Sequence, residues 1–294
     1  MTCVAGSGYD LAVAYRIYPQ VSKPARGLMF GDDKYRLSEA CLQSLMESFG
    51  TLRVKLWVLL DGCPPEYEAL VRQYVDAQDL VVVRLDKVGN RATFAKQIDI
   101  LVAQHDADIV YFAEDDYFYL PSQLYEMIDF LLAHDDVDFV SPYDHPDCYT
   151  LDLHREPKWV RPYGSHHWRT AASTCLTFLA RKEALLRDES VFRSFVWGND
   201  DCPLWLSLTK HRVFNPLSAI QYLCQGSISW RILAKAWIYG WRQILFGRKR
   251  WLWVPIPGIA THLDAKALSP AVDWTARITA PRTTRVRNTP SVTS

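Results

Sequence analysis

The first 140 residues alternate short apolar runs with longer amphipathic runs, and this rhythm is the strongest constraint on the fold. Four apolar runs have the length of buried strands, at residues 11–18, 54–60, 80–85 and 109–113. Helical periodicity follows each of them, at residues 38–49, 64–75, 93–104 and 123–134, with Ser38 as the expected N-cap of the first helix. This alternation predicts an α/β fold in which helices cover both faces of a mostly parallel sheet.

Acidic residues directly follow two of the predicted strands. Asp61 ends the second apolar run, and the triplet Glu114, Asp115 and Asp116 ends the fourth. Ligands of parallel sheets bind beyond the carboxyl ends of the strands, so we expect these acids at one site. Adjacent carboxylates repel one another unless a cation lies between them, and their oxygens suit Mg²⁺ or Mn²⁺. The alternative is a solvated loop with helix-capping acids.

The rhythm changes after residue 141. Residues 144–164 predict a long loop, residues 171–179 a strand, and residues 182–187 and 203–208 short helices. Asp200 and Asp201 follow an aromatic run and a glycine, which is an economical way to place a general base beside a pocket. The alternative is that they cap the helix at 203. His262 lies far along the chain from these acids, and it is a candidate further ligand for a metal ion that the carboxylates hold.

Charge is unevenly distributed along a chain whose formal net charge is zero. Residues 1–201 contain 20 basic and 31 acidic side chains, whereas residues 202–263 contain eight basic and no acidic ones. The acidic first part would repel a polyanion, so nucleic acid is not an expected partner.

Seven widely spaced cysteines predict reduced thiols. Because we find neither a signal pattern nor an apolar span, we expect a cytoplasmic protein.

The basic segment also holds six of the eleven tryptophans. Residues 228–254 predict one or two helices in which Arg231, Lys235, Arg242 and Lys249 form a narrow stripe on an apolar body. A helix of this kind can lie in the interface of an anionic membrane. Packing against the acidic first part of the chain is the alternative. Residues 275–294 contain four arginines and many Thr, Ser and Pro residues, and they predict a disordered tail.

Four short motifs, taken in order, resemble those of nucleotide-sugar glycosyltransferases of the GT-A fold, and most closely the inverting family 2. They are Leu-Leu-Asp-Gly at 59–62, Gly-Asn-Arg at 89–91, Glu-Asp-Asp at 114–116 and Gly-Asn-Asp-Asp at 198–201. The resemblance covers residues 10–205, with His262 as an outlying match. Two departures are the missing Pro-Thr-Tyr-Asn ending of the first strand, and Asn199 where the family often has Glu.

The resemblance implies a set of functional residues. Contacts with the nucleotide sugar would come from Tyr15, Arg16, Asp61, Asn90, Arg91, Gln97, Glu114 and Asp115. Asp116 would hold Mn²⁺ or Mg²⁺, with His262 as a further ligand. Asp200 would accept the proton of the acceptor hydroxyl, with Asp201 beside it. The implied donor is a nucleoside-diphosphate sugar, with a UDP-sugar favoured, and the implied acceptor is a glycan or a lipid-linked glycan in cell-surface polysaccharide synthesis.

The expected organisation has three parts. Residues 1–215 form a GT-A catalytic domain, with a nucleotide-sugar half to about residue 120 and an acceptor half after it. Residues 216–274 form a basic, Trp-rich helical extension that resembles a membrane-interface element and returns to the site at His262, and 275–294 are the tail. The expected location is the cytoplasm, peripheral on the inner face of the plasma membrane.

Two other function classes remain open. A sugar nucleotidyltransferase also uses a parallel sheet and carboxylate-held Mg²⁺. Such an enzyme normally has a Gly-rich phosphate loop with a nearby Lys or Arg. Residues 5–8 match that loop poorly. A non-catalytic, membrane-associated binding module on the same fold is the other alternative, and turnover of a sugar nucleotide separates it from an enzyme.

Overall fold

The computed structural model describes residues 8–20, 30, 33–154, 158–224, 226, 228–264 and 266–280. The strands of this part are β1 (Leu11–Ile17), β2 (Val54–Asp61), β3 (Leu80–Leu85), β4 (Ile109–Glu114), β5 (Tyr117–Tyr119), β6 (Phe139–Val140), β7 (Val160–Tyr163), β8 (His166–Ala171), β9 (Phe178–Arg181), β10 (Leu252–Ile256) and β11 (Ala260–His262). The helices are α1 (Lys34–Phe49), α2 (Pro65–Tyr74), α3 (Gly89–Ala103), α4 (Leu124–Ala133), α5 (Asp147–Thr150), α6 (Lys182–Arg193), α7 (Asp201–Thr209), α8 (Pro216–Cys224), α9 (Ile228–Phe246) and α10 (Trp274–Thr279). Residues Asp152–His154 form a 3₁₀ turn.

Nine strands form one central sheet in the order β3-β2-β1-β4-β9-β6-β10-β8-β7. Strands β3, β2, β1 and β4 pair in parallel, as the alternating pattern predicts. Only β8 and β9 run against the other strands of this sheet. Strands β5 and β11 pair separately in a small antiparallel sheet. The predicted α/β class with a mostly parallel sheet is therefore confirmed.

Helices cover both faces of the sheet because side chains alternate along each strand. On β1, Leu11, Val13 and Tyr15 point into the apolar layer under α1, α2 and α4. The intervening Ala12 and Ala14 point into the opposite layer, which α3, α6 and α7 complete. The parallel strands thus end at one edge of the sheet with their apolar parts fully covered, which leaves that edge for polar residues.

Helix starts differ from the prediction in two places. Helix α1 begins at Lys34, and its N-cap is Asp33, whose side chain accepts a hydrogen bond from the backbone N–H of Arg36. Ser38 is therefore not the cap; it lies inside the helix and is buried. Helix α3 begins at Gly89, one turn before the predicted start at residue 93.

The second half of the chain departs further from the prediction. The predicted strand at 171–179 is wrong, because β8 ends at Ala171 and β9 begins at Phe178. Between them, Thr174 hydrogen-bonds through its side chain to the Ser141 hydroxyl at 2.8 Å instead of joining a ladder. The predicted loop at 144–164 contains α5 and ends in β7.

The apolar pattern of the basic segment indicated helix throughout residues 228–254, but the segment is only partly helical. Helix α9 ends at Phe246, and Leu252–Ile256 form β10, which pairs with β6 and β8 inside the central sheet. The expected helical extension at 216–274 therefore includes an interior strand of that sheet. The tail prediction is also wrong at its start, since α10 covers Trp274–Thr279; residues 281–294 lie outside the described part. Within the described residues, no helix has the length and apolar character needed to cross a membrane.

Helix α9 packs closely on α7 at Gly240. A Cβ atom at this position would lie 2.4 Å from the Ser207 Cβ, which is fixed to the α7 backbone. Glycine is therefore needed here because the two helices approach closely, so α9 cannot accept a side chain at this position without moving away from α7.

We predict that Gly240→Ala lowers the free energy of unfolding by about 1–3 kcal/mol, the usual cost of overpacking a close contact. The matched control is Gly247→Ala just beyond the same helix, where the added methyl meets only the movable end of the Gln243 side chain. Urea unfolding of both variants checks this, and equal stabilities would contradict the close α7–α9 packing.

Candidate functional site

A cavity of about 580 Å³ lies at the carboxyl ends of β1, β2 and β4. Its lining includes eight residues that the sequence pointed to: Arg16, Asp61, Asn90, Glu114, Asp115, Asp116, Asp201 and His262. The strand-end acids therefore do meet at one edge of the sheet, as the parallel arrangement predicts. Segments separated by up to 246 residues, from Arg16 to His262, contribute to one site.

Each carboxylate of the acidic triplet has its own basic partner. Glu114 forms an ion pair with Arg16 from β1. Asp115 lies 2.8 Å from the Lys34 ammonium at the start of α1. These pairs offset the repulsion between neighbouring carboxylates, which explains how three consecutive acids can end a buried strand.

The third pair joins Asp116 to His262, whose Nε2 lies 3.1 Å from the Asp116 Oδ2. Burial alone would raise the pKa of Asp116, but His262, Lys34 and Arg16 outweigh it and lower this pKa to about 2. Burial alone would lower the pKa of His262, but the Asp116 carboxylate outweighs it and the pKa of His262 is raised. Both side chains are open to the cavity although protein surrounds them.

The pairing of β5 with β11 places His262 in the site. In this small sheet His262 is the register partner of Tyr117, the residue after Asp116, and its ring stands edge-on to the Tyr117 ring at 5.3 Å. Two buried polar atoms, the Asp116 Oδ1 and the His262 Nδ1, have no hydrogen-bond partner among the described residues. The chain thus fixes a carboxylate and an imidazole side by side and leaves ligand atoms unused.

The charge balance of the cavity favours a cation. Its lining carries six carboxylates and two permanently charged cations, Arg16 and Lys34. Among the described residues there is no cluster of three or more His, Cys, Asp or Glu side chains arranged to hold a metal ion. Asp116 and His262 nevertheless fit a divalent ion of the kind that takes one or two protein ligands and fills its other positions with water and substrate phosphates.

Asp61 is tied to the start of α3. Its carboxylate accepts hydrogen bonds from the backbone N–H groups of Val88, at 2.7 Å, and Gly89, at 2.9 Å. It therefore orders the turn that carries Asn90 into the cavity, where the Asn90 carbonyl accepts a bond from Arg16 at 3.2 Å. Asp61 lines the cavity as predicted, and its hydrogen bonds to the backbone of Val88 and Gly89 hold this turn in place.

Three of the predicted donor contacts are not part of the cavity lining. Gln97 is fully buried, and its amide donates to the carbonyls of Ala14, at 2.7 Å, and Ala113, at 3.2 Å, so it ties β1 to β4. Tyr15 is fully buried on the opposite side of β1 from Arg16. Arg91 is half-exposed at the rim and lies 3.8 Å from an Asp200 oxygen.

The Asp200–Asp201 pair is divided between the rim and the cavity. Asp200 is half-exposed, and its Oδ2 lies 2.6 Å from the ammonium of Lys235 on α9. Asp201 is the first residue of α7 and lines the cavity. Burial raises the pKa of Asp201 above its usual value. Asn199, which departs from the family pattern, is fully buried and bonds to Ser194 at 2.9 Å, so it shapes this turn from within.

Sequence reasoning missed the partners of these acids. Lys34, Ser38 and Lys235 each contact a carboxylate of the site: Asp115 receives the first two and Asp200 the third. A requirement for cations could be inferred from the acidic triplet, but which basic residue meets which acid depends on the tertiary arrangement. For Lys34 and Asp115 the separation is 81 residues.

We predict that Lys34→Met is destabilised by about 3–5 kcal/mol, since it leaves the buried Asp115 carboxylate without its cation. Adding Asp115→Asn to this variant should restore most of the loss, because an uncharged amide tolerates burial. Urea unfolding of the two single variants and the double variant measures the coupling. Additive losses would show that the pair does not interact.

Comparison with known proteins places this geometry in context. Residues 38–190 match the family model described as glycosyl transferase family 2. No protein with a curated description matches the chain. Solved structures that resemble it include the galactosyltransferase LgtC in complex with donor and acceptor sugar analogs, with 10% identity, coverage of 60% of this chain and 59% of that one, and a TM-score of 0.37.

Two further solved structures are similar to this chain. One is S. aureus TarS 1–349 in complex with UDP-GlcNAc, with 13% identity, coverage of 69% of this chain and 53% of that one, and a TM-score of 0.42. The other is glucosyl-3-phosphoglycerate synthase from Mycobacterium tuberculosis in complex with Mn²⁺, UDP and phosphoglyceric acid, with 16% identity, coverage of 60% and 57%, and a TM-score of 0.36.

The chain spans between half and three fifths of the length of these three structures. The family match covers just over half of the chain, and it contains Asp61, the acidic triplet and the helix that follows Gly89. Together with the α/β sheet and the strand-end site, this match confirms the GT-A resemblance that the motifs suggested: the chain belongs to glycosyl transferase family 2.

Proposed function

We propose that this chain is an inverting, metal-dependent glycosyltransferase that moves a sugar from a nucleoside-diphosphate sugar to a hydroxyl group of a glycan or a lipid-linked glycan. The observation that carries the proposal is the Asp116–His262 pair in a cavity that also holds Asp61 and Asp201. Family membership gives the reaction class, and the residues below give its chemistry.

The donor would lie along the carboxyl ends of β1, β2 and β4. Asp61 and Asn90 stand at one side of the cavity, where hydroxyl and amide groups of a nucleoside need polar partners. Arg16 and Lys34 supply cationic donors for phosphate oxygens, although each is also engaged by a carboxylate of the triplet. The base is taken as uracil for the first tests, since the motif resemblance favours a UDP-sugar.

Asp116 and His262 are the residues that would hold Mn²⁺ or Mg²⁺. When bound, such an ion would stabilise the negative charge that develops on the departing diphosphate. The chain's own contribution is to keep the Asp116 carboxylate ionised through the nearby cations Lys34 and Arg16, because the His262 imidazole must be neutral to act as a ligand. A nucleoside diphosphate entering a cavity with six carboxylates would otherwise meet mainly like charge.

Asp200 is the proposed general base. It stands at the rim of the cavity, where an acceptor from solution or from a membrane can reach it. Arg91 and Lys235 lie beside it, 3.8 Å and 2.6 Å from its carboxylate oxygens. Attack by the acceptor oxygen from the side of Asp200, with departure of the diphosphate on the side of Asp116, would invert the anomeric centre.

The family resemblance also indicates the acceptor and the place of action. We place the reaction in cell-surface polysaccharide synthesis, at the cytoplasmic face of the plasma membrane, as the family resemblance implies. The two alternatives are separable by product: a nucleotidyltransferase releases pyrophosphate, a non-catalytic module releases nothing, and the proposed enzyme releases a nucleoside diphosphate.

We predict that Asp200→Asn lowers kcat by at least about a hundredfold, the usual scale for loss of a general base. Binding of the nucleoside diphosphate should be unchanged, because Asp200 lies outside the cavity lining. Release of nucleoside diphosphate from a panel of sugar nucleotides measures the rate. An unchanged kcat in Asp200→Asn, with the loss found instead in Asp201→Asn, would move the proton acceptor to Asp201.

We predict that UDP stabilises the protein against heat only in the presence of Mn²⁺ or Mg²⁺. A ligand at a hundred times its Kd adds about 2.7 kcal/mol to the folded state, so the shift in Tm is readily measured. Asp116→Asn should abolish the metal-dependent part, whereas Asp135→Asn, an exposed carboxylate after α4, should keep it. Full stabilisation by UDP in excess chelator would contradict the metal site.

A further inference from the structure

Helices α8 and α9 expose a large apolar surface beside the site. On α8, Leu217, Ile220 and Leu223 recur every three residues and are 78%, 58% and 56% exposed. On α9, Ile238 and Phe246 are 67% and 80% exposed. Soluble proteins rarely leave so many large apolar side chains together in water, so this surface, which we call the α8–α9 face, indicates an interaction site.

The face continues into an apolar groove of about 560 Å³ between the two helices. Side chains of both helices and the preceding turn line it, among them Phe214, Ile220, Leu223, Trp230 and Trp237. The opposite side of α9 is occupied, because Leu233, Ala236, Gly240 and Ile244 are buried in the protein. The outward side of α9 is therefore what remains for a partner.

Basic residues flank this apolar surface, and acidic ones are missing from the segment. Arg231 and Arg242 are exposed on the outward side of α9, and Arg248 and Lys249 are exposed just after it. No Asp or Glu occurs from residue 202 to residue 263. Trp230 and Trp241 are partly exposed on the same side. Exposed apolar side chains with interfacial Trp and flanking Arg are the pattern of a helix that lies in a membrane interface.

Charge also decides between possible occupants. A second copy of this chain docked through the same face would bring Arg231 and Arg242 against a segment that contains no acid to pair with them. An anionic lipid surface complements these charges and accepts the apolar side chains in its hydrocarbon layer. The described residues contain no helix that crosses a membrane, so attachment here would be along the surface.

We propose that the α8–α9 face binds an anionic phospholipid bilayer and holds the chain on it with the site next to the membrane surface. The link is Lys235, which lies one helical turn after Arg231 and contacts Asp200 at 2.6 Å. The helix that meets the bilayer therefore also contacts the rim of the site through Lys235. Resting on the proposed function, this placement selects acceptors anchored in that bilayer.

The same contact corrects the interface expected from sequence. Lys235 does not extend to lipid headgroups as a member of the cationic stripe, because Asp200 binds it. Trp253 is also unavailable, since it is buried in β10 of the central sheet. The bilayer contact is therefore assigned to the outward sides of α8 and α9 and not to the whole of residues 228–254.

Vesicle co-sedimentation of the full chain tests the proposal without donor, acceptor or turnover. The wild type should bind phosphatidylcholine vesicles that contain a quarter phosphatidylglycerol, and binding should weaken with salt. Arg231→Glu with Arg242→Glu should weaken binding by at least about twentyfold, from the loss of about 1 kcal/mol per basic residue. Ile238→Ser with Phe246→Ser should weaken it too, whereas the matched control Leu132→Ser with Leu186→Ser, two exposed leucines elsewhere, should not.

Each outcome decides the question. Circular dichroism and an unchanged Tm without ligand show that the variants are folded, so a failure of UDP binding or of glycosyl transfer leaves the membrane result interpretable. Wild type that ignores anionic vesicles, or face variants that bind them as well as the control does, would overturn the proposal. A wild-type dimer that the Ile238→Ser, Phe246→Ser variant converts to a monomer, without vesicle binding, would assign the face to a second copy instead.

Discussion

The acidic triplet at the end of β4 is the constraint on which the rest of the site depends. Three consecutive carboxylates can end a buried strand only if basic side chains approach them, and the chain supplies one for each. Arg16 comes from β1, Lys34 from α1 and His262 from β11. Neutralising the triplet therefore requires β1, α1 and β11 to converge on the end of β4. The same convergence encloses the cavity.

The strands and the acids at their ends could be predicted from the sequence, because both follow from local patterns. The apolar runs predicted the parallel strands, and strand ends carry ligands in such sheets, so Asp61 and the triplet were expected together. Partners across the fold were not accessible, because nothing in the spacing of Lys34 and Asp115 or of Lys235 and Asp200 indicates contact. Gln97 shows the reverse case: it resembles a donor-binding residue but ties β1 to β4 from a fully buried position.

The basic, Trp-rich segment has three roles that its composition does not separate. Its inner side packs on α7 at Gly240, its end supplies β10 to the sheet, and its outer side stays exposed with arginines around it. The apolar pattern predicted one or two helices up to residue 254, because β10 is too apolar to be distinguished from a buried helical segment by periodicity. Through Lys235, the same segment also contacts the proposed base.

The central claim is that the Asp116–His262 pair holds a divalent ion against the diphosphate of a nucleotide donor. The most direct measurement is an anomalous diffraction map from crystals of the full chain grown with UDP and Mn²⁺. The account predicts one strong manganese peak in contact with the Asp116 carboxylate and the His262 imidazole, with diphosphate oxygens on its far side. A diphosphate bound elsewhere, or bound in this cavity with manganese away from both side chains, would contradict it.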